Sequence, residues 1–146
     1  MTFGRVLLRR LKRFAALSAA ERALLRSALL VVVMARVALW ILPLRVVRRA
    51  VARAASVAPE APVDETVWAV KLTSDYVPRA TCLTQALAVQ ALLSRSGYAS
   101  RVEIGVAKEG AQAFEAHAWV MIGDQIVIGG PTVDHYSRLY GWELEK

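Results

Sequence analysis

The chain has a single cysteine, Cys82, and only two histidines, His117 and His135. One cysteine excludes an internal disulfide framework and any zinc site built from paired cysteines. Two histidines form no recognisable metal cluster, so we predict neither a metal nor a cofactor. A lone thiol is typical of a reducing compartment, and no cleavable signal peptide is recognisable, so we predict a cytoplasmic protein.

Acidic residues are almost missing from the first part of the chain. Residues 1–55 contain twelve lysines and arginines against one acid, Glu21, which gives a net charge of +11. Residues 56–146 contain seven basic and eleven acidic residues, a net charge of −4. A basic end favours phosphates, anionic lipids or an acidic partner surface. Aromatic residues do not alternate with these arginines, so we predict no nucleic-acid partner.

The apolar residues of the first part recur at helical spacing. They predict a short helix over residues 3–15, a second from Ala19 to Leu42 and a third from Leu44 to Ala54. Ser18 and Glu21 form a capping box at the start of the second helix. We interpret residues 1–55 as a basic, apolar helical N-terminal region.

The stretch from Ala28 to Leu42 is apolar on all sides except at Arg36. It is shorter than the ~20 residues that a membrane span needs, and a charge in mid-helix is costly there. The pattern favours a helix buried in its own domain or against a partner. A membrane-spanning helix is a less favoured alternative. Contact with a membrane surface through the flanking arginines is another, which would make the protein membrane-associated.

The second part begins after a linker at residues 55–63, and we interpret residues 64–146 as a separate domain. Asp64 is predicted to cap a helix that ends near Pro78, and Thr81 to cap the next one. The sequence predicts one more helix, followed by strands. They are a helix over Cys82–Ser96 ended by Gly97, strands over Val102–Val106 and Phe114–Ile122, a turn at Gly123–Asp124, and a strand over Gln125–Ile128. Helices followed by an antiparallel sheet indicate an α+β fold.

Cys82 is predicted to lie in the first turn of its helix. Free amides and the positive end of the helix dipole stabilise a thiolate there, and the same amides can stabilise an oxyanion. His117, in the predicted strand, is a candidate general base. In a hairpin centred on the Gly123–Asp124 turn, position 130 lies across from position 117. A residue near Gly129 or Gly130 is therefore expected to orient the imidazole.

The residues alone leave a plainer interpretation open. A lone cysteine at a helix start is more often an inert small hydrophobe, and a histidine in a strand is often half-buried and held by a neighbour. His135, in a polar loop, is interpreted as a surface residue. The spacing of Cys82 and His117 does not by itself decide between structure and catalysis.

Five short blocks carry a resemblance to a known family. They are Cys82-Leu83-Thr84-Gln85-Ala86-Leu87-Ala88, Gly97, Val102-Glu103-Ile104-Gly105-Val106, Ala116-His117-Ala118-Trp119-Val120 and Ile126-Val127-Ile128-Gly129-Gly130. In this order and spacing, over about residues 76–142, the chain resembles the leader peptidase of lasso-peptide biosynthesis. That protein is the B protein in its split form, which lacks a fused leader-recognition domain. The basic helices ahead of residue 76 also resemble that family.

The resemblance implies a papain-like or transglutaminase-like cysteine peptidase domain preceded by N-terminal helices. It implies removal of the leader from a ribosomal precursor peptide, with Cys82 as nucleophile and His117 as general base. Where the family often has an aspartate, this chain has Gly129. Asp134 is then a candidate for the orienting acid, and a backbone carbonyl is the alternative. Asp124 lies about 20 Å along the strand and is too far away.

The resemblance also implies partners, and the residues leave other functions open. The implied partners are the precursor peptide, a separate leader-binding protein and an ATP-dependent cyclase. One alternative function is a non-catalytic transglutaminase-like module that binds a peptide or holds the maturation complex together, which Gly129 in the acid position favours. Another is acyl transfer to an amine by the same Cys82–His117 pair.

Overall fold

The computed structural model describes residues 12–13, 15–107, 116–130 and 136–143. Within these ranges, four helices precede a four-stranded antiparallel sheet, which confirms the predicted α+β fold. The helices are α1 (Ala19–Ile41), α2 (Leu44–Ala55), α3 (Val63–Ser74) and α4 (Cys82–Arg95). The strands are β1 (Arg101–Ala107), β2 (Ala116–Ile122), β3 (Gln125–Ile128) and β4 (Tyr136–Glu143). The helix predicted over residues 3–15 falls mostly outside the described residues.

Local signals set the start of α1. The Ser18 hydroxyl accepts a hydrogen bond from the Glu21 amide at 3.1 Å, and the Glu21 carboxylate accepts one from the Ser18 amide at 2.7 Å. This confirms the predicted capping box. The helix ends at Ile41, ahead of Pro43, because proline cannot continue the hydrogen-bonding pattern.

The capping prediction at α3 was wrong. Pro62, not Asp64, is the N-cap residue, and no side chain caps this helix. Asp64 lies inside the first turn, where its charge still complements the helix dipole. The segment before α3 is fixed against the end of α4, because Arg95 donates to the Ala58 carbonyl at 3.1 Å and Ser96 accepts from the Ala61 amide at 2.9 Å.

The sheet has the strand order β3-β2-β1-β4, with all neighbours antiparallel. A turn at Gly123 and Asp124 joins β2 to β3 as predicted, with Gly123 at a φ of +58°. Strand β4 was not predicted. It pairs with β1 along its whole length, with a bulge between Ile104 and Gly105.

One core joins the helices to one face of the sheet. Its members come from every helix and from strands β1 to β4, including Val31, Val51, Val70, Leu92 and Val120. Residues of the predicted N-terminal region and of the predicted second domain therefore pack together, and the division at residues 55–63 stays a prediction.

A buried amide links α4 to β4. Gln90 is almost fully buried, and its Oε1 accepts a hydrogen bond from the Trp142 indole at 3.0 Å. Its Nε2 donates to the carbonyls of Trp142 and Ser100 at 3.2 and 3.3 Å. These bonds hold the helix that carries Cys82 against the far edge of the sheet.

Candidate active site

Cys82 is the first residue of α4, as predicted, and its thiol is free and half-buried. The preceding residue, Thr81, is the N-cap, and its hydroxyl accepts a hydrogen bond from the Thr84 amide at 3.3 Å. Within the described ranges, the amides of Cys82 and Leu83 have no acceptor. Two unpaired amides beside the sulfur supply partial positive charge, which favours an anion at this position.

A tight turn directly precedes Thr81. The Ala80 amide donates to the Val77 carbonyl at 3.2 Å, with Pro78 and Arg79 at the two central positions. Arg79 has a φ of +58°, as the third residue of a type II turn requires. Glycine or asparagine is usual there, and a side chain with Cβ costs about 1–2 kcal/mol. The turn before the candidate nucleophile is therefore strained.

His117 is the second residue of β2, and its ring is held by the main chain. Its Nε2 lies 2.7 Å from the carbonyl oxygen of Gly129. A carbonyl only accepts, so Nε2 carries the hydrogen in the neutral ring and Nδ1 keeps its lone pair. The ring also stacks with Tyr136 and Trp119, with centroids 5.2 and 6.3 Å apart. Nδ1 is thus the atom that can accept a proton.

Gly129 leaves no room for a side chain. Its φ is +94°, and an added Cβ would lie 2.7 Å from the Cβ of Trp119 and 2.8 Å from the carbonyl oxygen of Ala118. Contacts this short with backbone atoms cannot be relieved by a rotamer change. An aspartate at position 129 would not fit this backbone, and the carbonyl of Gly129 contacts the ring instead.

A buried carboxylate fixes the position of Trp119. Glu103 is 4% exposed and accepts from the Trp119 indole at 3.0 Å. Its other oxygen contacts Arg101 at 2.8 Å and Arg138 at 3.2 Å. Because Trp119 packs against Gly129, this network holds the carbonyl that contacts His117.

The topology brings Cys82 and His117 to the same end of the helix and sheet. Residues 96–100 are a short connection, so β1 runs back along α4, and β2 is antiparallel to β1. Helix α4 also packs against β2. The start of α4 and the start of β2 therefore lie at the same end.

The side chains of Cys82 and His117 are not linked by a hydrogen bond. Ala118 and Val120 point from β2 into the helix-packed core, whereas His117 and Trp119 point to the other face by the alternation of a strand. Among the described residues, no hydrogen bond links the Cys82 sulfur to the imidazole. For His117 to act as the base for Cys82, its ring must therefore move around the start of β2 toward the sulfur.

The candidate acid Asp134 lies outside the described residues. Asp124 lies in the turn at the opposite end of β2 from His117, in agreement with its exclusion on distance. The described residues also contain no group of three or more histidine, cysteine or acidic side chains arranged to hold a metal.

A groove of about 790 Å³ lies between α3 and β3. Its lining is mostly apolar, with two carboxylates and one amine among the lining residues. The lining residues are Val63, Asp64, Val67, Trp68, Lys71, Leu72, Asp75 and Val127. Neither Cys82 nor His117 lines it, so this groove is separate from the candidate catalytic residues.

Comparison with known families agrees with this architecture. Residues 28–141 match the Transglutaminase-like superfamily, which is well over half of the chain. The chain belongs to the Transglutaminase-like superfamily. This superfamily includes cysteine peptidases, and its domain is confirmed as the fold predicted from the sequence. No curated protein and no solved structure matches the chain significantly.

In this superfamily member, the roles of three residues around His117 were not predicted from the sequence: two stack with the imidazole, and one holds the Trp119 indole. They are Trp119, Glu103 and Tyr136. Trp119 follows His117 by two residues, so a shared face was predictable from strand alternation. Glu103 was visible only as a charged residue in an alternating strand, and its burial depends on cross-strand pairing with Trp119.

Proposed function

We propose that this protein is a cysteine peptidase that removes the leader from a lasso-peptide precursor. The observation that carries the proposal is the hydrogen bond between His117 Nε2 and the Gly129 carbonyl, because it leaves Nδ1 as a base. Membership of a superfamily that includes cysteine peptidases and the placement of Cys82 at a capped helix start support it. The motif resemblance described above supplies the substrate class.

The proposed reaction has two steps. The Cys82 thiolate forms a bond to the carbonyl carbon at the leader–core junction while His117 Nδ1 holds the proton from the thiol. The C–N bond then breaks, and the imidazolium gives that proton to the leaving amine of the core. In the second step, water hydrolyses the thioester with His117 as base, which releases the leader acid and restores the thiol. The amides of Cys82 and Leu83 are the proposed donors to the oxyanion.

The test uses the precursor peptide, with and without a separate leader-binding protein, and reads the products by mass. Cys82→Ala and His117→Ala should each abolish cleavage, whereas Ser94→Ala, at the exposed far end of α4, should cleave normally. Circular dichroism checks that each variant is folded. Normal cleavage by Cys82→Ala would refute the mechanism, and a product that has lost ammonia would indicate cross-linking to an amine.

A second measurement separates the two proposed orienting groups of His117. If the Gly129 carbonyl is sufficient, Asp134→Ala should keep the cleavage rate within a few-fold. If Asp134 orients the ring, its loss should lower the rate by up to about 10⁴-fold, as for the acid of other triads. Asp124→Ala is the matched control, because this carboxylate lies at the far end of β2.

A non-catalytic peptide-binding module is the second candidate function. It is favoured by the position of His117 on the Trp119 side of β2, without a hydrogen bond to the sulfur. The rate of Cys82 alkylation by iodoacetamide distinguishes the two functions. A paired thiolate should react faster than a free thiol, and His117→Ala should slow it. An alkylation rate equal in the parent protein and in His117→Ala would favour the binding module.

A further inference from the structure

Helix α1 is apolar on two opposite faces. The inner face, including Val31, Val32 and Ala35, is completely buried against the other helices. The outer face is exposed, and we name it the outer stripe. It is defined by Leu29, Leu30, Val33, Val37, Trp40 and Ile41. These residues recur at helical spacing over thirteen positions, a rise of about 18 Å along the helix.

Burial in the core does not explain why the outer stripe is apolar. The most apolar window of α1 has a mean hydropathy of 2.0, yet only 39% of it is buried. The two most exposed side chains of the outer stripe, Trp40 and Ile41, are 76% and 71% exposed. Leu42 and Val46 extend the exposed apolar surface onto α2. A continuous apolar surface of this length marks a site of contact.

The charges around the outer stripe have one sign. Arg22 and Arg26 are exposed on the same face of α1, one to two turns before Leu29. Arg45 and Arg49 are exposed on α2, directly beyond the other end. The single acid of residues 1–55, Glu21, is engaged in the capping box. The surface is thus apolar along its centre and cationic at both ends, which matches the boundary of an anionic bilayer.

Arg36 and Trp40 have the geometry of groups at a membrane interface. The Arg36 guanidinium lies 5.5 Å from the centre of the Trp40 ring, at the edge of the outer stripe. Tryptophan concentrates at the level of lipid headgroups, and arginine extends its charged end toward them along an apolar stem. Both side chains therefore suit a helix that lies along the bilayer surface.

The inner face excludes a spanning helix in this fold. By length and composition α1 could cross a membrane. Crossing would remove its buried face from the core that it shares with α2, α3 and α4. Arg36 would also enter the hydrocarbon, where a charge is strongly disfavoured. Of the two apolar faces of α1, only the outer stripe is available to lipid while the domain stays folded.

We propose that the outer stripe and its flanking arginines bind the surface of an anionic lipid bilayer. Helix α1 lies parallel to the surface, with Trp40 and Ile41 inserted between headgroups. This inference is independent of the proposed peptidase activity, because it uses none of the residues around Cys82 and His117. Its failure would leave the cleavage experiments unaffected.

The test is sedimentation of the full chain with vesicles of phosphatidylcholine containing 30% phosphatidylglycerol. The parent protein should bind these vesicles, bind pure phosphatidylcholine at least about 10-fold more weakly, and dissociate as salt rises. Trp40→Ser with Ile41→Ser should weaken binding at least about 10-fold. The matched control is Val57→Ser with Leu139→Ser, which removes two equally exposed apolar side chains elsewhere and should change nothing.

A charge series tests the electrostatic part. Arg45→Glu with Arg49→Glu should weaken binding to the anionic vesicles at least about 20-fold. Lys71→Glu with Arg79→Glu makes the same charge change outside the surface and should have a much smaller effect. An equal loss in both pairs would overturn the proposal, because net charge alone would then explain the binding.

Three other outcomes would overturn it as well. The first is failure to bind vesicles of any composition. The second is resistance to alkaline carbonate extraction, which indicates a spanning helix. The third is an oligomer that Trp40→Ser with Ile41→Ser converts to monomer without any lipid binding, which would assign the outer stripe to a second copy of the chain.

Discussion

Replacement of Gly129 by alanine tests the geometry that holds His117. The backbone at this position has a φ of +94°, and the new Cβ would lie 2.7 Å from the Cβ of Trp119. The positive φ costs about 1–2 kcal/mol in a residue with Cβ. Overlap with a packed neighbour costs about 1–3 kcal/mol more. We therefore expect Gly129→Ala to lower the free energy of unfolding by about 2–5 kcal/mol.

Two other glycines separate these two costs. Gly123 has a φ of +58° but nothing within 4 Å of an added Cβ, so Gly123→Ala should cost only about 1 kcal/mol. Gly130 has its nearest contact at an ordinary 3.4 Å, so Gly130→Ala should stay within about 1 kcal/mol of the parent. Gly130 is also adjacent to Gly129 in the chain, which makes it a close control.

The assay is urea unfolding followed by tryptophan fluorescence, with the rate of Cys82 alkylation measured on each folded variant. Gly129→Ala should be the least stable of the three. Where it stays folded, movement of the 129 carbonyl should release the His117 ring and alter the alkylation rate. If Gly129→Ala is as stable as Gly130→Ala, the close approach to Trp119 does not exist, and the account of how His117 is held is wrong.

Three further substitutions test the packing around the site. Gln90→Leu should lower the free energy of unfolding by about 2–3 kcal/mol in urea, because the buried indole of Trp142 and two carbonyls lose their partner. Glu103→Gln should lower the free energy of unfolding by about 1–2 kcal/mol in the same assay. The stability of this variant should also depend less on salt than that of the parent, since both arginine partners of Glu103 are partly exposed and their ion pairs are screened by salt. Arg79→Gly should be neutral or stabilising by up to about 1 kcal/mol, because relief of the positive φ offsets the greater freedom of glycine when unfolded.

Helix starts whose signal is local were predictable from the sequence. Ser18 with Glu21, and Thr81 ahead of Cys82, each satisfy a free amide three residues on, so a few residues decide the outcome. Asp64 failed as a cap because α3 begins at Val63, with Pro62 in the capping position. Proline with its fixed φ suits a helix start equally well, and the sequence does not distinguish these two beginnings.

Strand β4 was missed because its pattern is weak. Four consecutive residues, 137–140, are exposed, and Gly141 interrupts the later part of the strand. Its pairing depends on β1, which lies about 35 positions earlier, and on a bulge between Ile104 and Gly105. A pairing of this kind is not encoded in any short window of sequence.

The turn at Gly123 and Asp124 placed position 130 opposite His117, and the structure shifts this register by one residue. A bulge between Val120 and Met121 pairs Val120 with Ile128. The group that contacts the imidazole is the Gly129 carbonyl and not a side chain. The sequence therefore predicted the right neighbourhood of His117, but the identity of the contacting atom depended on backbone geometry.

A carbonyl and a carboxylate would not orient His117 with equal consequence. Both fix the hydrogen on Nε2, but only a carboxylate adds a full negative charge that stabilises the imidazolium formed when Cys82 loses its proton. With the Gly129 carbonyl alone, the thiolate–imidazolium pair depends more on the amides at the start of α4. The proposed peptidase would then be intrinsically slow and would gain most from a partner that holds the precursor in place. A cleavage rate that is high without any leader-binding protein would contradict this reasoning and would favour Asp134 as the orienting group.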